Sequence, residues 1–237
     1  MKTNLKSRIL VCGDSITRGV IFDENKKRYT NAKNAVTSEV AQKMHLDIDN
    51  VSKFGNTVKK AINLFKKAIS EKRYEYVIFE LGGNDCDFNW KAVAGNPKGP
   101  HAPKTDYQEY KNVLKEMIAT ARDNEIIPVL VTLPPIDAHK YFNWISGFSD
   151  DAKPNILSWL GEVDRIYWWQ EKYNAGVLQV ANETHCRVLD LRSAILETED
   201  YRELYCVDGI HPNEKGHQIM TDAVINSLKL MNFNSVQ

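Results

Sequence analysis

Apolar residues along this chain alternate between two arrangements, short dense runs and longer stretches in which they recur every three or four positions. The runs are RILVC at 8–12, LDIDNV at 46–51, YVIFEL at 76–81, IPVLVTL at 127–133 and CRVLD at 186–190. Short apolar runs of this kind predict strands. Between them, helical spacing links Val36, Val40 and Met44, and then Val58, Ala61, Ile62, Phe65 and Ile69. A third helix is predicted through Tyr107, Tyr110, Val113, Leu114, Met117 and Ile118. A long one near 160–184 uses Val163, Ile166, Tyr167, Tyr173, Val177 and Val180; the last, after Pro212, uses Ile219, Ala223, Val224 and Leu228. Strands alternating with helices in this way predict βαβ units, hence an α/β fold around a parallel sheet.

No internal repeat, low-complexity tract or linker interrupts the pattern, so residues 1–237 read as a single domain. Two connections are longer than an α/β unit requires: 86–105 (CDFNWKAVAGNPKGPHAPKT) and 134–158. Both leave the carboxyl ends of predicted strands, the face on which open α/β sheets bind ligands. All five tryptophans fall between 90 and 169, with Trp90 and Trp144 inside these connections. Packing of the connections onto the domain accounts for them most simply. The functional alternative is a pocket wall that stacks on a sugar ring or covers an acyl group, which makes Trp90 and Trp144 candidate substrate contacts.

Composition narrows the partners. Lys+Arg and Asp+Glu both count 31, so the formal net charge is zero and the footprint of a dedicated nucleic-acid binder is missing. No apolar run reaches membrane-spanning length, and the first residues show no signal-peptide core, so a cytoplasmic protein is expected. The four cysteines, at 12, 86, 186 and 206, lack C-x-x-C spacing and read as reduced; Cys12 and Cys186 sit in apolar runs as packing residues. The six histidines are scattered, with no H-E-x-x-H pattern, so neither a metal nor a cofactor is expected.

The first strand runs into Gly13-Asp14-Ser15 just before a helix. The spacing excludes a Walker A loop, because Arg18 stands where the second glycine would be, and a dinucleotide fingerprint, because Ser15 stands two after Gly13. Ser15 is then either an N-cap or a nucleophile. Three further strand ends decide between them. Phe54-Gly55-Asn56-Thr57 follows the second strand, Leu81-Gly82-Gly83-Asn84-Asp85 the third, and Val207-Asp208-Gly209-Ile210-His211-Pro212 precedes the last helix. Each block alone is unspecific. Together they supply a nucleophile (Ser15), a base (His211), an acid to orient it (Asp208) and oxyanion donors (Gly55 and Asn84). Asp14 and Asp85 read as loop-holding carboxylates, Cys86 as a pocket-lining thiol without a basic neighbour, and His217 as a solvent-facing helix residue outside the site.

These blocks resemble those of the SGNH hydrolases, also called the GDSL esterase/lipase family. The first matches as Gly13-Asp14-Ser15, the second as Gly55, the third as Gly82-x-Asn84-Asp85 and the fifth as Asp208-x-x-His211, in the family's order and across nearly the whole chain. The resemblance implies a flavodoxin-like, three-layer α/β/α sandwich of about five parallel strands. It also implies an oxyanion hole made of the Ser15 and Gly55 N–H groups and the Asn84 amide. The activity it implies is serine-dependent hydrolysis of a small-molecule carboxylic ester through an acyl-enzyme. Short, acetyl-type acyl groups, with sugar esters among the candidates, are expected. Two alternatives keep the scaffold: an acyltransferase using the same triad, and a catalytically silent binding module.

Overall fold

The computed structural model describes residues 8–230. The reading of the first residues as lacking a leader, and the outer limits of the 1–237 domain, lie in part outside the described residues.

In chain order the elements begin with strand β1 (Arg8–Gly13), the single-turn helix α1 (Ser15–Arg18) and the strands β2 (Val20–Asp23) and β3 (Arg28–Asn31). They continue with α2 (Val36–Lys43), β4 (Asp47–Asn50), α3 (Val58–Glu71), β5 (Tyr76–Glu80) and α4 (Trp90–Gly95). Next come α5 (Tyr107–Asp123), β6 (Ile127–Val131), α6 (Ala138–Ser146), α7 (Ala152–Leu160) and α8 (Arg165–Thr184). The chain closes with β7 (Arg187–Leu189), α9 (Leu191–Leu196), a 3₁₀ turn (Tyr201–Leu204) and α10 (Glu214–Leu230). Among the described residues, five strands form a parallel sheet in the order β4-β1-β5-β6-β7. Counted within that sheet, this is the 2-1-3-4-5 order of a flavodoxin-like fold, and the order reverses between β1 and β5.

Alternation along β1 divides the core between the two faces. Leu10 and Cys12 point to the cluster built with α3, α5 and α8, whereas Ile9 and Val11 point to the one built with α2, α9 and α10. The α3 stripe of Val58, Ala61, Ile62 and Phe65 is buried as its spacing predicts. Phe65 meets Phe79 of β5 edge-to-face at 5.1 Å. Each such fully buried ring contributes about 1.5–3 kcal/mol over an exposed one.

The structure corrects the predicted layout in three places. The connections 86–105 and 134–158 are not plain loops: they carry α4, α6 and the start of α7, which with the beginning of α8 enclose a third apolar cluster of their own. The helix predicted over 160–184 is α8, but it starts only at Arg165: α7 ends at Leu160, and residues 161–164, with Val163 among them, form a turn that opens at Gly161 (φ 81°). Finally, β2 and β3 form an antiparallel hairpin that the strand reading does not anticipate.

Candidate active site

The site lies at the switch point between β1 and β5, where both strands end. Gly13 closes β1 because no side chain fits: a Cβ there would stand 2.2 Å from Thr17 Oγ1 and 2.8 Å from the Glu80 carbonyl. Asp14, not Ser15, caps α1, its Oδ1 accepting from the Ile16 N–H at 2.9 Å. The capping alternative for Ser15 is thereby removed, and its hydroxyl is left for other partners.

That hydroxyl meets His211 Nε2 at 2.9 Å, across 196 residues of sequence. His211 Nδ1 lies 2.6 Å from Asp208 Oδ2, and Asp208 Oδ1 accepts from the Ile210 and His211 backbone N–H groups at 3.1 Å each. Asp208 is 0% exposed and His211 3%. Burial pushes the Asp208 carboxyl up, but the hydrogen bond and charge of His211 and the two backbone donors outweigh it and hold it below the usual range. The loop is pinned at Gly209 (φ 72°), which packs against the start of α6 and whose carbonyl accepts from the Asp137 N–H at 2.8 Å.

Gly55 (φ 68°) and Asn84 border the same cavity as Ser15 and His211. Asn84 Nδ2 donates to Asp14 Oδ2 at 3.0 Å, which uses one amide N–H and leaves the other available. Behind it, Asp14 hydrogen-bonds to Glu80, and both carboxyls are buried. Burial first, and then the Asp14 charge, hold the Glu80 carboxyl well above its ordinary range. Asp85 accepts from the Val58 N–H at 3.1 Å, capping α3 from outside because Thr57 makes no side-chain cap.

The aromatic residues form two groups. Phe54 stacks on His211 at 5.7 Å and Tyr29 of the hairpin approaches it at 5.1 Å. Trp144 packs on that hairpin, 4.8 Å from Phe22 and 6.3 Å from Tyr29, and is not among the cavity-lining residues. Trp90 does line the cavity, a space of about 470 Å³, together with Phe88, Tyr141, Trp159 and Trp169. Sequence reasoning does not assign these last four to the site, since their spacing marks no shared face. Cys86 also lines it, with burial holding its thiol well above the usual range.

His217 departs from its expected solvent-facing position: it is fully buried on α10, and burial lowers its pKa to about 4, so it stays neutral there. All four cysteines are free and buried. Among the described residues no group of three or more His, Cys, Asp or Glu is arranged to hold a metal, and no helix is long and apolar enough to cross a membrane.

Residues 11–219 match the model of the GDSL-like lipase/acylhydrolase family. The chain is 25% identical over 153 residues to a GDSL esterase/lipase, CPRD49, of Arabidopsis thaliana, and 21% identical over 153 residues to WDL1 of rice, Oryza sativa subsp. japonica. The match takes in 65% of this chain but 54% and 53% of theirs, so the chain spans about half the length of these relatives. Among solved structures it is similar to a lipase/acylhydrolase from Enterococcus faecalis (TM-score 0.67, 16% identity, 95% and 96% of the two chains). It is also similar to Axe2, an acetylxylan esterase from Geobacillus stearothermophilus (TM-score 0.64, 20% identity, 100% and 99%). At these identities the likeness of the structures is one of fold.

Proposed function

Because the chain belongs to the GDSL-like lipase/acylhydrolase family, we propose that it hydrolyses small-molecule carboxylic esters through an acyl-enzyme on Ser15. The observation that carries this reading is the unbroken relay from Ser15 Oγ through His211 to Asp208, at 2.9 and 2.6 Å. His211 Nε2 takes the Ser15 proton as Oγ attacks the ester carbonyl. The developing oxyanion falls to the Ser15 and Gly55 N–H groups and the free N–H of Asn84. His211 then protonates the departing alcohol, and water repeats the sequence to release the acid. Asp208 stays ionised throughout, fixing the tautomer and supporting the imidazolium.

Two observations bear on the acyl group. The acetylxylan esterase among the structural neighbours supports a short, acetyl-type group carried on a sugar. The size of the cavity supports a larger apolar one. The aromatic lining of the cavity that holds Ser15 also supports a second fate for the acyl-enzyme, transfer to an acceptor alcohol, read as ester product when an alcohol is added to the assay. The four free thiols support a reducing, cytoplasmic setting.

The test is hydrolysis of p-nitrophenyl esters by wild type and Ser15→Ala, with mass spectrometry after a fluorophosphonate. Turnover that falls by at least about 10³ in the variant, and a single adduct on Ser15, are expected. Equal rates in the two proteins would overturn the reading.

A further inference from the structure

The cavity that holds Ser15 is also lined by residues that the mechanism leaves unused, and this part of it forms a chamber. Its wall is aromatic: Phe88 meets Trp159 at 4.9 Å and Trp169 at 5.4 Å, and Trp90 meets Trp159 at 6.1 Å and Tyr141 at 6.2 Å. These rings come from α4, α6, α7, α8 and the segment before α4, the elements that build the third apolar cluster.

The polar groups of this wall are largely engaged, and its lining cations Lys104 and Arg165 are exposed to solvent. Asp87 accepts from Trp90 Nε1 at 2.8 Å, from the Tyr141 hydroxyl at 2.7 Å and from Lys104 Nζ at 2.7 Å. Gln170 donates to the Pro134 carbonyl at 2.8 Å and accepts from Arg192 at 3.0 Å. Beyond the Asp14–Glu80 pair, Trp169 Nε1 is the buried wall atom without a partner among the described residues. One N–H suits a single acceptor, whereas the hydroxyls of a sugar ring would each lose their hydrogen bonds to water there.

The stereochemistry of attack assigns the direction. Around the tetrahedral carbon, one bond goes to Ser15 Oγ and the oxyanion faces Gly55 and Asn84. The departing oxygen must face His211 Nε2, on the side of Tyr29 and Phe54, and Phe54 is 52% exposed to solvent. The fourth substituent, the acyl chain, is left with the side that runs from Asn84 through Cys86 to Phe88.

On the reading that this site is a serine esterase, we propose that the chamber is an acyl pocket for apolar chains of about six to ten carbons, with Trp159 as a specificity-determining contact. Size supports this choice. If a methylene fills roughly the 30 Å³ share of a liquid water, an acetyl methyl fills under a tenth of the 470 Å³ and an octanoyl tail nearly half. The remainder holds the ester group and its immediate surroundings.

The experiment uses p-nitrophenyl esters from C2 to C12 and, in parallel, alkyl acetates of rising alcohol length. A buried methylene contributes about fourfold in kcat/KM. A rise of at least tenfold from acetate to octanoate is expected, with a maximum between C6 and C10 and little dependence on the alcohol. Trp159→Ala is expected to lower the octanoate-to-acetate ratio at least fivefold. A maximum at acetate, or selectivity that follows the alcohol instead of the acyl chain, overturns the proposal. So does an equal loss on both chains in Trp159→Ala.

A second arm is independent of turnover. Titration of Ser15→Ala with sodium octanoate and sodium acetate, followed by tryptophan fluorescence, is expected to show octanoate binding at least tenfold more tightly. Addition of Trp159→Ala is expected to weaken octanoate binding. If no ester is hydrolysed yet octanoate binds this way, the esterase reading fails and the apolar pocket stands. If esters are hydrolysed and octanoate shows no preference, the pocket fails alone.

Discussion

Replacement of Asp208 by Asn isolates one proton. Asp208 Oδ1 accepts two backbone N–H groups at 3.1 Å, and Oδ2 lies 2.6 Å from His211 Nδ1. In Asp208→Asn the carbonyl oxygen must remain on the backbone donors, because an NH₂ group there would face two N–H groups. The amide NH₂ is thus turned toward Nδ1, which has to become an acceptor, and the imidazole proton moves to Nε2. That nitrogen can no longer accept from Ser15 Oγ at 2.9 Å. In serine proteases of the chymotrypsin type, the corresponding Asp-to-Asn change costs about 10⁴ in kcat through the wrong tautomer. At about 1.36 kcal/mol per decade, that is about 5 kcal/mol on the barrier. The fold should survive, since both backbone bonds are kept. The assay is kcat/KM for a p-nitrophenyl ester from pH 6 to 10, with circular dichroism melts of both proteins. A loss under tenfold with an unchanged melt would refute the tautomer argument and remove Asp208 from the relay.

Other consequences can be checked on the same purified protein. Asn84→Ala is expected to cost about 10²–10³ in kcat with KM little changed, the usual loss for one oxyanion donor; an unchanged kcat removes Asn84 from that role. Asp85 is fully buried, and burial raises its pKa from 3.8 to about 6, so the native state binds its proton more tightly than the unfolded chain. Its contribution to stability is therefore complete below pH 3.8 and is lost as pH rises through about 6, by about 3 kcal/mol at 1.36 kcal/mol per unit. Urea melts of Asp85→Asn against wild type should show a difference that grows in favour of the variant between pH 4 and 7; a pH-independent difference counts against it. Gly13→Ala, whose Cβ meets Thr17 Oγ1 at 2.2 Å, is expected to destabilise by about 1–3 kcal/mol and to lower kcat by displacing Ser15. A melting temperature and kcat equal to wild type would contradict the packing at that turn.

What the chain reveals before folding depends on where the physics is local. The inner strands β1, β5 and β6 are legible because a strand buried between two helical layers is a dense apolar run, as in RILVC, whereas the edge strand β4 is half-buried and shows only the mixed LDIDNV. The residues of the candidate site are legible as a set because turns at strand ends and helix entries leave their chemistry in residue type, such as Gly55, Asn84 and the Asp208–His211 pair. The hairpin is not: β2 and β3 have four residues each and are largely half-exposed, and their turn uses Lys27 at φ 48° instead of a glycine. The α4 segment WKAVAG is too short to display a period, so the chamber wall looks like loop. His217 misleads for a different reason. It continues the buried stripe of Met220, Val224 and Leu228 at helical spacing, and only its residue type suggests water.

The separation of 196 residues between Ser15 and His211 also sets an order in time. During synthesis the serine, the Gly55 turn and Asn84 leave the ribosome long before the histidine does. A chain interrupted at residue 200 carries an ordinary hydroxyl, with no base to activate it. On the proposed mechanism, products that stop before His211 are therefore unable to acylate themselves or attack cellular esters. On the same mechanism a serine-directed probe would count only molecules folded past His211, so an adduct on Ser15 would report on assembly of the site.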